Sequence, residues 1–245
     1  MKISVITVVR NDVEHIEETV NSVLAQKGVE FEYIIIDGAS DDGTKEIIER
    51  YRDKIAAFVS EADNGIYQAM NKGIRLATGD VIGLINSGDT YFPGALAAVA
   101  AAFEKTPGWE KEYIFWGDVE YESCGRVRGF RPEKLYVGAF APHPSMFVPR
   151  KIYESIGLYD ESFKLLGDYD FMYRAVHKYH IKPLYVAELI AFYRAGGVSD
   201  RRIMSCLRDE LHVKLRYGSP VVLSYLMFFA KVVKNLPRML LAKMH

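Results

Sequence analysis

Four polar clusters in the first ninety residues stand where a ligand site would be built. Each follows a short apolar run, and together they span residues 7–11, 37–44, 63–71 and 86–89. If the apolar runs are neighbouring parallel strands, the clusters meet at the carboxyl ends of those strands and line one crevice. Carboxylates and amides in such a crevice bind polar ligands. The candidate binding residues are Thr7, Val9, Asn11, Asp37, Asp63, Asn71, Asn86, Ser87, Gly88 and Asp89.

A further carboxylate, Asp168, stands at the start of a predicted helix over residues 168–179. It precedes Phe171 and Met172 by three and four positions, so it lies on the buried side of that helix. A carboxylate held there can accept a proton from a bound hydroxyl group. The position also fits a helix N-cap, so both roles stay open. Asp170 is expected to point elsewhere and to pair with Arg174.

Alternating strands and helices are predicted to position these residues. Apolar, β-branched runs typical of buried parallel strands cover residues 3–9, 32–36, 56–60 and 81–85. Helical spacing of apolar residues follows at 13–24, with Asp12 as its predicted cap, and then at 47–51, 66–77 and 93–104. Residues 113–119 and 144–148 predict two more strands. This order predicts an α/β fold with a Rossmann-like, mixed and mainly parallel sheet flanked by helices.

The composition of the chain fits a globular protein. Its 245 residues are 49% hydrophobic and 26% charged, which suits one large α/β domain with a sizeable core. The net charge of −1 gives no indication of nucleic acid as a partner. The two cysteines, Cys124 and Cys206, lie far apart in the sequence. Such sparse use of cysteine favours a cytoplasmic location over a disulfide framework.

The C-terminal segment differs in character from the rest of the chain. A dense apolar run over residues 221–229 is followed by Lys231, Lys234, Arg238 and Lys243. The run is too short to span a bilayer comfortably. We therefore expect residues 201–245 to form a helical extension of a domain over residues 1–200. Its basic residues would meet anionic headgroups if the helix lay on a membrane, and the alternative is a helix docked on the domain or on a partner subunit.

Two other classes of nucleotide-binding enzyme share the alternation of strands and helices. A dinucleotide-dependent oxidoreductase would carry Gly-x-Gly-x-x-Gly after the first strand, and a P-loop enzyme would carry Gly-Lys-Ser or Gly-Lys-Thr. Neither motif occurs in the sequence. The pattern therefore disfavours both classes.

Taken together, the polar clusters resemble the family 2 glycosyltransferases, which have the A-type nucleotide-sugar fold. The resemblance begins with Thr-Val-Val-Arg-Asn at 7–11, Asp-Gly-Ala-Ser-Asp-Asp-Gly-Thr at 37–44 and Asn-Ser-Gly-Asp at 86–89. It continues through residues 63–73, 116–119, 143–147 and 167–170, and so covers about residues 1–200. Each motif is weak alone, but their order and spacing are specific.

The resemblance implies an inverting glycosyltransferase that moves a sugar from a nucleotide-diphosphate donor, expected to be a UDP-sugar, to an acceptor hydroxyl. The residues of the four clusters would then bind the donor, with Asp37 contacting the nucleotide base. A local turn role for Asp37 stays open. Residues 42–44 are expected to be structural, because glycine allows a positive φ and Asp or Thr caps the next helix.

The resemblance also implies a divalent cation. Charge builds on the departing diphosphate, and Mg²⁺ or Mn²⁺ can neutralise it while taking few protein ligands. Asp89 matches the expected metal ligand, with capping of the next helix as its alternative role. Asn86 and Gly88 stand where the family often carries carboxylates.

Similar enzymes place their catalytic base where Asp168 lies, although Gly167 replaces the common glutamate beside it. Three further residues are expected to contact the acceptor or the diphosphate. Asp118 follows a strand, His143 lies between two prolines, and Arg194 opens a basic, glycine-containing loop that could close over the donor. A satisfied structural histidine and a solvated loop are the alternatives for the last two.

The resemblance implies a role in building a bacterial surface polysaccharide or a lipid-linked oligosaccharide. The expected partners are a nucleotide-sugar donor, a glycan or lipid-linked acceptor, and a peripheral membrane contact through the C-terminal segment. This places the protein in the cytoplasm, at the inner face of the cell membrane. The alternative function is a non-catalytic nucleotide-sugar or glycan binding module on the same fold.

Overall fold

The computed structural model describes residues 1–129, 135, 143–196 and 202–241, and for 237–241 only the backbone. Its strands are β1 (Lys2–Val9), β2 (Glu30–Asp37), β3 (Ala57–Ser60), β4 (Val81–Asn86), β5 (Thr90–Tyr91), β6 (Tyr113–Tyr121), β7 (Gly125–Val127), β8 (Met146–Pro149) and β9 (Lys182–Tyr193). Its α-helices are α1 (Ile16–Leu24), α2 (Thr44–Glu49), α3 (Ile66–Leu76), α4 (Ala95–Glu104), α5 (Trp109–Glu112), α6 (Arg150–Ile156), α7 (Gly167–Tyr173), α8 (Ile203–Arg216) and α9 (Val221–Leu241). A π-helical turn, Arg174–Lys178, continues α7, and a 3₁₀ turn, His143–Ser145, precedes β8.

The described strands form one mixed sheet in the order β3-β2-β1-β4-β8-β6-β9-β5, with β7 paired to β6. Strand β1 is parallel to β2 and β4, β2 is parallel to β3, and β6 is parallel to β9. The remaining pairs are antiparallel. The predicted mixed α/β sheet is confirmed. Parallel pairing dominates only from β3 to β4, because β8 enters the sheet in the opposite direction.

The register of the parallel strands brings the predicted polar clusters to one edge of the sheet. Val9 in β1 lies beside Asp37 in β2, and Asp37 lies beside Ser60 in β3. Val8 lies beside Asn86 at the end of β4. The four strands therefore end together, and the segments that follow them share one rim.

Two layers of helices cover the sheet and bury its faces. Helices α3, α6 and α7 pack on one face, where Ile6 and Ile34 belong to their core. Helices α1 and α4 pack on the other face with Val5 and Ile35. Gly73 allows α3 to lie close on β1, because a Cβ there would come within 2.4 Å of the Ile6 side chain.

The segment between β1 and α1 differs from the prediction. Helix α1 begins at Ile16, and Asp12 does not cap it with its side chain. Asn11 has a φ of 51°, which turns the chain toward the loop before α2. There the backbone N–H of Asp12 donates to Thr44 Oγ1 at 2.9 Å. The Asp12 carbonyl still accepts the N–H of Ile16 at 3.1 Å, so a hydrogen-bonded turn that is also tied to a distant loop leads into α1.

The C-terminal extension is attached to the domain through α8. Val213 of α8 is fully buried in the core that contains α7, and α9 packs on α8. Lys231 of α9 points inward and donates to both oxygens of Glu210, at 2.6 and 2.7 Å. The division of the chain near residue 200 stays a prediction.

The outward side of α9 carries exposed apolar side chains. At helical spacing these are Val222, Leu226, Phe229, Val233 and Leu236, each 48 to 74% exposed. Within the part of the chain that the structure describes, no helix is both long and apolar enough to cross a membrane. The apolar stripe of α9 is therefore a surface feature of the described chain.

Candidate active site

Asp37 and Asn11 organise the loop that follows β2. Ser40 donates its backbone N–H to Asp37 Oδ2 at 3.0 Å and its hydroxyl to Oδ1, while Ser60 Oγ donates to Oδ2 at 2.6 Å. Asn11 accepts the backbone N–H of Asp41 through Oδ1 at 3.0 Å. Both side chains thus hold the loop in place. Contact between Asp37 and a nucleotide base stays a prediction.

Two residues expected in the crevice have buried side chains. Thr7 is fully buried within β1, and its hydroxyl lies 2.9 Å from the Tyr33 hydroxyl. The Val9 side chain belongs to the core beneath α1, and its carbonyl accepts the N–H of Gly38 at 2.9 Å. The strand turns both side chains into the helical layer, and contact of these two residues with the donor stays a prediction.

Asp63 and Asn71 have different roles in the segment around the start of α3. Asp63 accepts the Gly65 N–H at 3.0 Å, and its other oxygen lies over Gly38, where a Cβ would meet it at 2.6 Å. Asp63 is therefore at the carboxyl edge of β2, as predicted. Asn71 is buried and exchanges hydrogen bonds with the backbone of Tyr159 at 2.9 and 3.1 Å. Its amide fastens the chain before α7, and the donor contact expected of Asn71 stays a prediction.

The turn after β4 contains the predicted metal ligand, Asp89, together with residues predicted to bind the donor. Asp89 is 4% exposed, and its Oδ1 accepts the backbone N–H of Arg194 at 3.0 Å. Burial raises the pKa of Asp89 to about 7, against the opposing effect of Arg194. Ser87 donates to Asp12 Oδ2 at 2.6 Å, and Gly88, at a φ of 93°, donates to Thr19 Oγ1 at 3.0 Å. Asp89 does not cap α4, whose N-cap is Gly94.

This turn fits a hard divalent cation that is held jointly with substrate. The side-chain oxygen of Asn86 is buried and has no hydrogen-bond partner in the described chain. Together with the Asp89 carboxylate it offers oxygen ligands of the kind that Mg²⁺ and Mn²⁺ take. Among the described residues, no three His, Cys, Asp or Glu side chains form a metal cluster of their own. Phosphate oxygens and water would have to complete the coordination.

The second part of the site surrounds Asp168. This partly exposed residue accepts the Tyr169 N–H at 2.9 Å and the Tyr67 hydroxyl at 3.2 Å, both through Oδ1. Burial of the carboxyl group raises the pKa of Asp168, and the charge of nearby His143 opposes that rise. A carboxyl group with a raised pKa is suited to accept a proton near neutral pH. The geometry therefore supports Asp168 as a general base.

His143 lies in the 3₁₀ turn before β8. Burial lowers the pKa of its imidazole, and the charge of Asp168 opposes that effect. Its Nε2 lies 3.4 Å from the Tyr159 hydroxyl. His143 therefore flanks Asp168, and direct contact with the substrate stays a prediction.

Tyr121, at the end of β6, connects the two parts of the site. Burial raises the pKa of its phenol, and the carboxylates of both Asp89 and Asp168 raise it further. The charges of Asp89 and Asp168, which are 79 positions apart in the chain, thus both act on this one phenol.

Asp118 is already bonded to protein donors. Its Oδ2 accepts from Arg126 Nη2 at 2.7 Å and from Arg126 Nε at 2.8 Å. Its Oδ1 accepts from the Gly129 N–H and from the Tyr185 hydroxyl, both at 2.8 Å. These bonds, with Arg126 and Tyr185 among them, outweigh burial and lower the pKa of Asp118. Its contacts favour a structural role and give no support to an acceptor contact.

Arg194 is held beside the turn after β4. Its Nε donates to the Gly88 carbonyl at 3.1 Å, and its guanidinium pairs with Glu18 at 2.5 Å. Arg194 therefore lies beside Asp89, as a diphosphate contact requires. These bonds anchor its side chain, whereas the prediction placed it in a loop free to close over the donor. The rest of the predicted loop, residues 197–201, lies outside the described residues.

Sequence reasoning gave no site role to Tyr67, Asp12 or Tyr121. Tyr67 entered the prediction only as part of the segment 63–73 that carries the family resemblance. Asp12 is predicted only as a helix cap, and Tyr121 lies two residues beyond the predicted end of its strand. The available signal for Asp12 was the polar segment 10–12 that follows β1.

The comparison with protein families identifies the chain. The family described as Glycosyl transferase family 2 matches residues 4–153. The chain belongs to this family. As a family 2 glycosyltransferase it is similar to an uncharacterised glycosyltransferase of Mycobacterium tuberculosis, with 30% identity over 85% of this chain and 81% of the relative. It is also 26% identical to a PGL/p-HBAD biosynthesis glycosyltransferase of Mycobacterium bovis, over 88% of this chain and 86% of that protein.

Solved structures support the same fold for this family 2 enzyme. S. aureus TarS in complex with UDP-GlcNAc matches with a TM-score of 0.69 and 17% identity, over 99% of this chain and 79% of that chain. The mannosyltransferase PcManGT from Pyrobaculum calidifontis, in complex with GDP-Man and Mn²⁺, matches with a TM-score of 0.66 and 14% identity, over 96% and 75%. The A-type glycosyltransferase fold is thereby confirmed, and the chain is a glycosyltransferase.

Proposed function

We propose that this glycosyltransferase inverts the anomeric centre and takes its sugar from a nucleotide-diphosphate donor, with a UDP-sugar as the preferred class. The observation that supports the proposal is the placement of two carboxylates, Asp89 in the turn after β4 beside Arg194 and Asp168 at the start of α7 beside Tyr67. A single displacement requires a general base for the acceptor and groups that stabilise the departing diphosphate, and these two residues would supply them.

The reaction then divides between the two parts of the site. Asp168 takes the proton of the acceptor hydroxyl while that oxygen bonds to the anomeric carbon. The bond from this carbon to the donor phosphate oxygen breaks on the opposite face, and the diphosphate departs. Asp89 and Asn86 would hold Mg²⁺ or Mn²⁺, which when bound neutralises charge on the diphosphate.

The donor class is tested by thermal unfolding of the whole chain with a panel of sugar nucleotides. We expect UDP-sugars with Mn²⁺ to raise Tm by several degrees, since a ligand at about 100 times its Kd stabilises by about 2.7 kcal/mol. Each donor, including GDP-mannose, is measured with Mn²⁺ and with EDTA. A shift with GDP-mannose alone would overturn the UDP preference. A shift that is equal in EDTA would overturn the role of the cation.

Turnover distinguishes the enzyme from a binding module. Transfer or donor hydrolysis that depends on Mn²⁺ supports the proposal. The configuration at the anomeric carbon of the product, read by NMR coupling constants, tests inversion. Retention of the donor configuration would contradict a single displacement.

We further propose that the acceptor is a glycan or a lipid-linked glycan, and that α9 attaches the enzyme to the cytoplasmic face of the membrane. The exposed apolar stripe of α9 supports the attachment. The mycobacterial relative named for PGL/p-HBAD biosynthesis supports a surface-glycan acceptor. Because Lys231 is bonded inward to Glu210, the apolar stripe rather than this lysine would supply most of the binding.

Membrane attachment is tested by flotation with vesicles that contain anionic phospholipid. The wild-type chain should float with the vesicles, and Phe229→Glu should reduce the bound fraction at least about tenfold, because it places a charge in the apolar stripe. Glu30→Gln, an exposed change on β2, is the control. Equal flotation of wild type and Phe229→Glu would exclude this surface. A concentration-dependent dimer that Phe229→Glu dissociates would instead assign it to a second copy.

A further inference from the structure

The carboxylate of Asp168 is fastened to α3, a helix that begins next to the donor edge of the sheet. The link is Tyr67, which is 4% exposed. Its hydroxyl lies 2.6 Å from the Leu165 carbonyl and 3.2 Å from Asp168 Oδ1. Tyr67, the second residue of α3, thus contacts the general base although the two residues are 101 positions apart in the sequence.

Gly167 provides the space that this link needs. A Cβ on Gly167 would lie 2.9 Å from three carbons of the Tyr67 ring, closer than real contacts allow. The ring therefore lies flat against the backbone just before Asp168. No residue with a side chain fits at position 167 while Tyr67 stays in place.

Two further contacts hold the segment before α7 on the same helix and its entry loop. Asn71 fastens Tyr159, as described above, and its Nδ2 also donates to Glu161 Oε1 at 2.9 Å. Lys164 donates to the Asn64 carbonyl at 3.2 Å. The segment that delivers Asp168 is therefore held along its length, and Tyr67 is the contact nearest the carboxylate.

We propose that Tyr67 is a positioning residue for catalysis: its hydroxyl fixes Oδ1 of Asp168, so that Oδ2 receives the proton of the acceptor. The inference rests on the proposed role of Asp168 as general base. The Tyr67 hydroxyl and the Tyr169 N–H both donate to Oδ1 of this carboxylate. Oδ2 is therefore the oxygen assigned to the substrate.

The chemistry of the phenol suits this task. Burial raises the pKa of Tyr67 well above its ordinary value of 10.0, so its hydroxyl stays protonated and remains a donor. Its single proton has two acceptors, the Leu165 carbonyl and Asp168. When the carboxylate is charged, the bond to Oδ1 favours that form. Once the carboxyl group has taken a proton, the carbonyl retains the hydrogen bond.

Four titratable side chains face Asp168 from the elements packed around it, and only Tyr67 donates to it. The others are Tyr121 of β6, His143 of the 3₁₀ turn and Tyr159. Removal of the Tyr67 hydroxyl withdraws a hydrogen bond from the charged carboxylate and leaves these three in place. The pKa of Asp168 should therefore rise.

Tyr67→Phe in the full chain tests the inference. We expect kcat to fall about tenfold with little change in KM for the donor. In the profile of kcat against pH, the acid limb should shift to higher pH by about one unit, because Asp168 then ionises at a higher pH. Gly167→Ala should act in the same direction, since its methyl group displaces the ring, although Ala is otherwise a better helix residue than Gly.

The control is Tyr173→Phe on α7, the helix that carries Asp168. Tyr173 is also buried, and its hydroxyl lies 2.6 Å from Ser219 Oγ, away from Asp168. It should lower Tm without moving the acid limb. Suppose that Asp168→Asn inactivates the enzyme but Tyr67→Phe leaves the acid limb of the pH profile unmoved. This result would overturn the inference about Tyr67 and leave the proposed function standing. Full activity of Asp168→Asn would overturn the proposed function instead.

Discussion

Replacement of Asp168 by asparagine is expected to lower kcat about 10³-fold, in the range that a positioned general base contributes. The amide oxygen can still accept from Tyr169 and Tyr67, which now bond Oδ1, so the local structure should persist. What is lost is the group that takes the proton of the acceptor hydroxyl. Initial rates with saturating donor and acceptor measure the effect.

Donor binding should survive this change, because Asp168 lies apart from the turn after β4. The thermal shift produced by the sugar nucleotide and Mn²⁺ should therefore match that of wild type. Asp170→Asn is the control two residues along the same helix. Asp170 is 1% exposed and accepts from Tyr217 at 3.1 Å, so this variant should lose stability and keep its turnover per folded molecule. Asp168→Asn with more than about a tenth of wild-type kcat would contradict the role of base.

The strand ends were predictable because their causes are local. Apolar, β-branched runs favour strands, and parallel pairing then brings Asp37, Ser60 and Asn86 to one rim. Val9 shows the limit of this reasoning. The sequence indicates that this residue lies at the end of a strand. The direction of its side chain, however, depends on the pleat of the strand and on which helical layer covers each face of the sheet.

The roles of Asn71, Asp118 and Tyr67 depend on partners that sequence pattern does not reveal. Asn71 binds Tyr159 at a separation of 88 residues, and Tyr67 reaches Asp168 at 101. A buried polar residue must find a hydrogen-bond partner, but its spacing in the chain does not say which one. Long strand β9 was also missed, although its apolar runs at 184–187 and 189–193 are interrupted only by Glu188.

Replacement of Asp89 by asparagine is expected to separate stability from activity. Burial raises the pKa of Asp89 to about 7, which shows that the charged form is costly in this environment. The amide oxygen of asparagine can still accept the Arg194 N–H, so Tm should stay unchanged or rise. Activity should fall at least about 100-fold, because the cation that neutralises the diphosphate loses its charged protein ligand.

The measurement that decides this role is the difference between donor-induced Tm shifts in Mn²⁺ and in EDTA. For wild type the shift in Mn²⁺ should be larger, and for Asp89→Asn the two should become equal. Asp118→Asn also removes a buried carboxylate, but one that is bonded to Arg126 and Tyr185, so it should lower Tm and keep the Mn²⁺ dependence. If Asp89→Asn kept that dependence, the cation would have to bind through other oxygens, and Asp89 would serve mainly to hold Arg194.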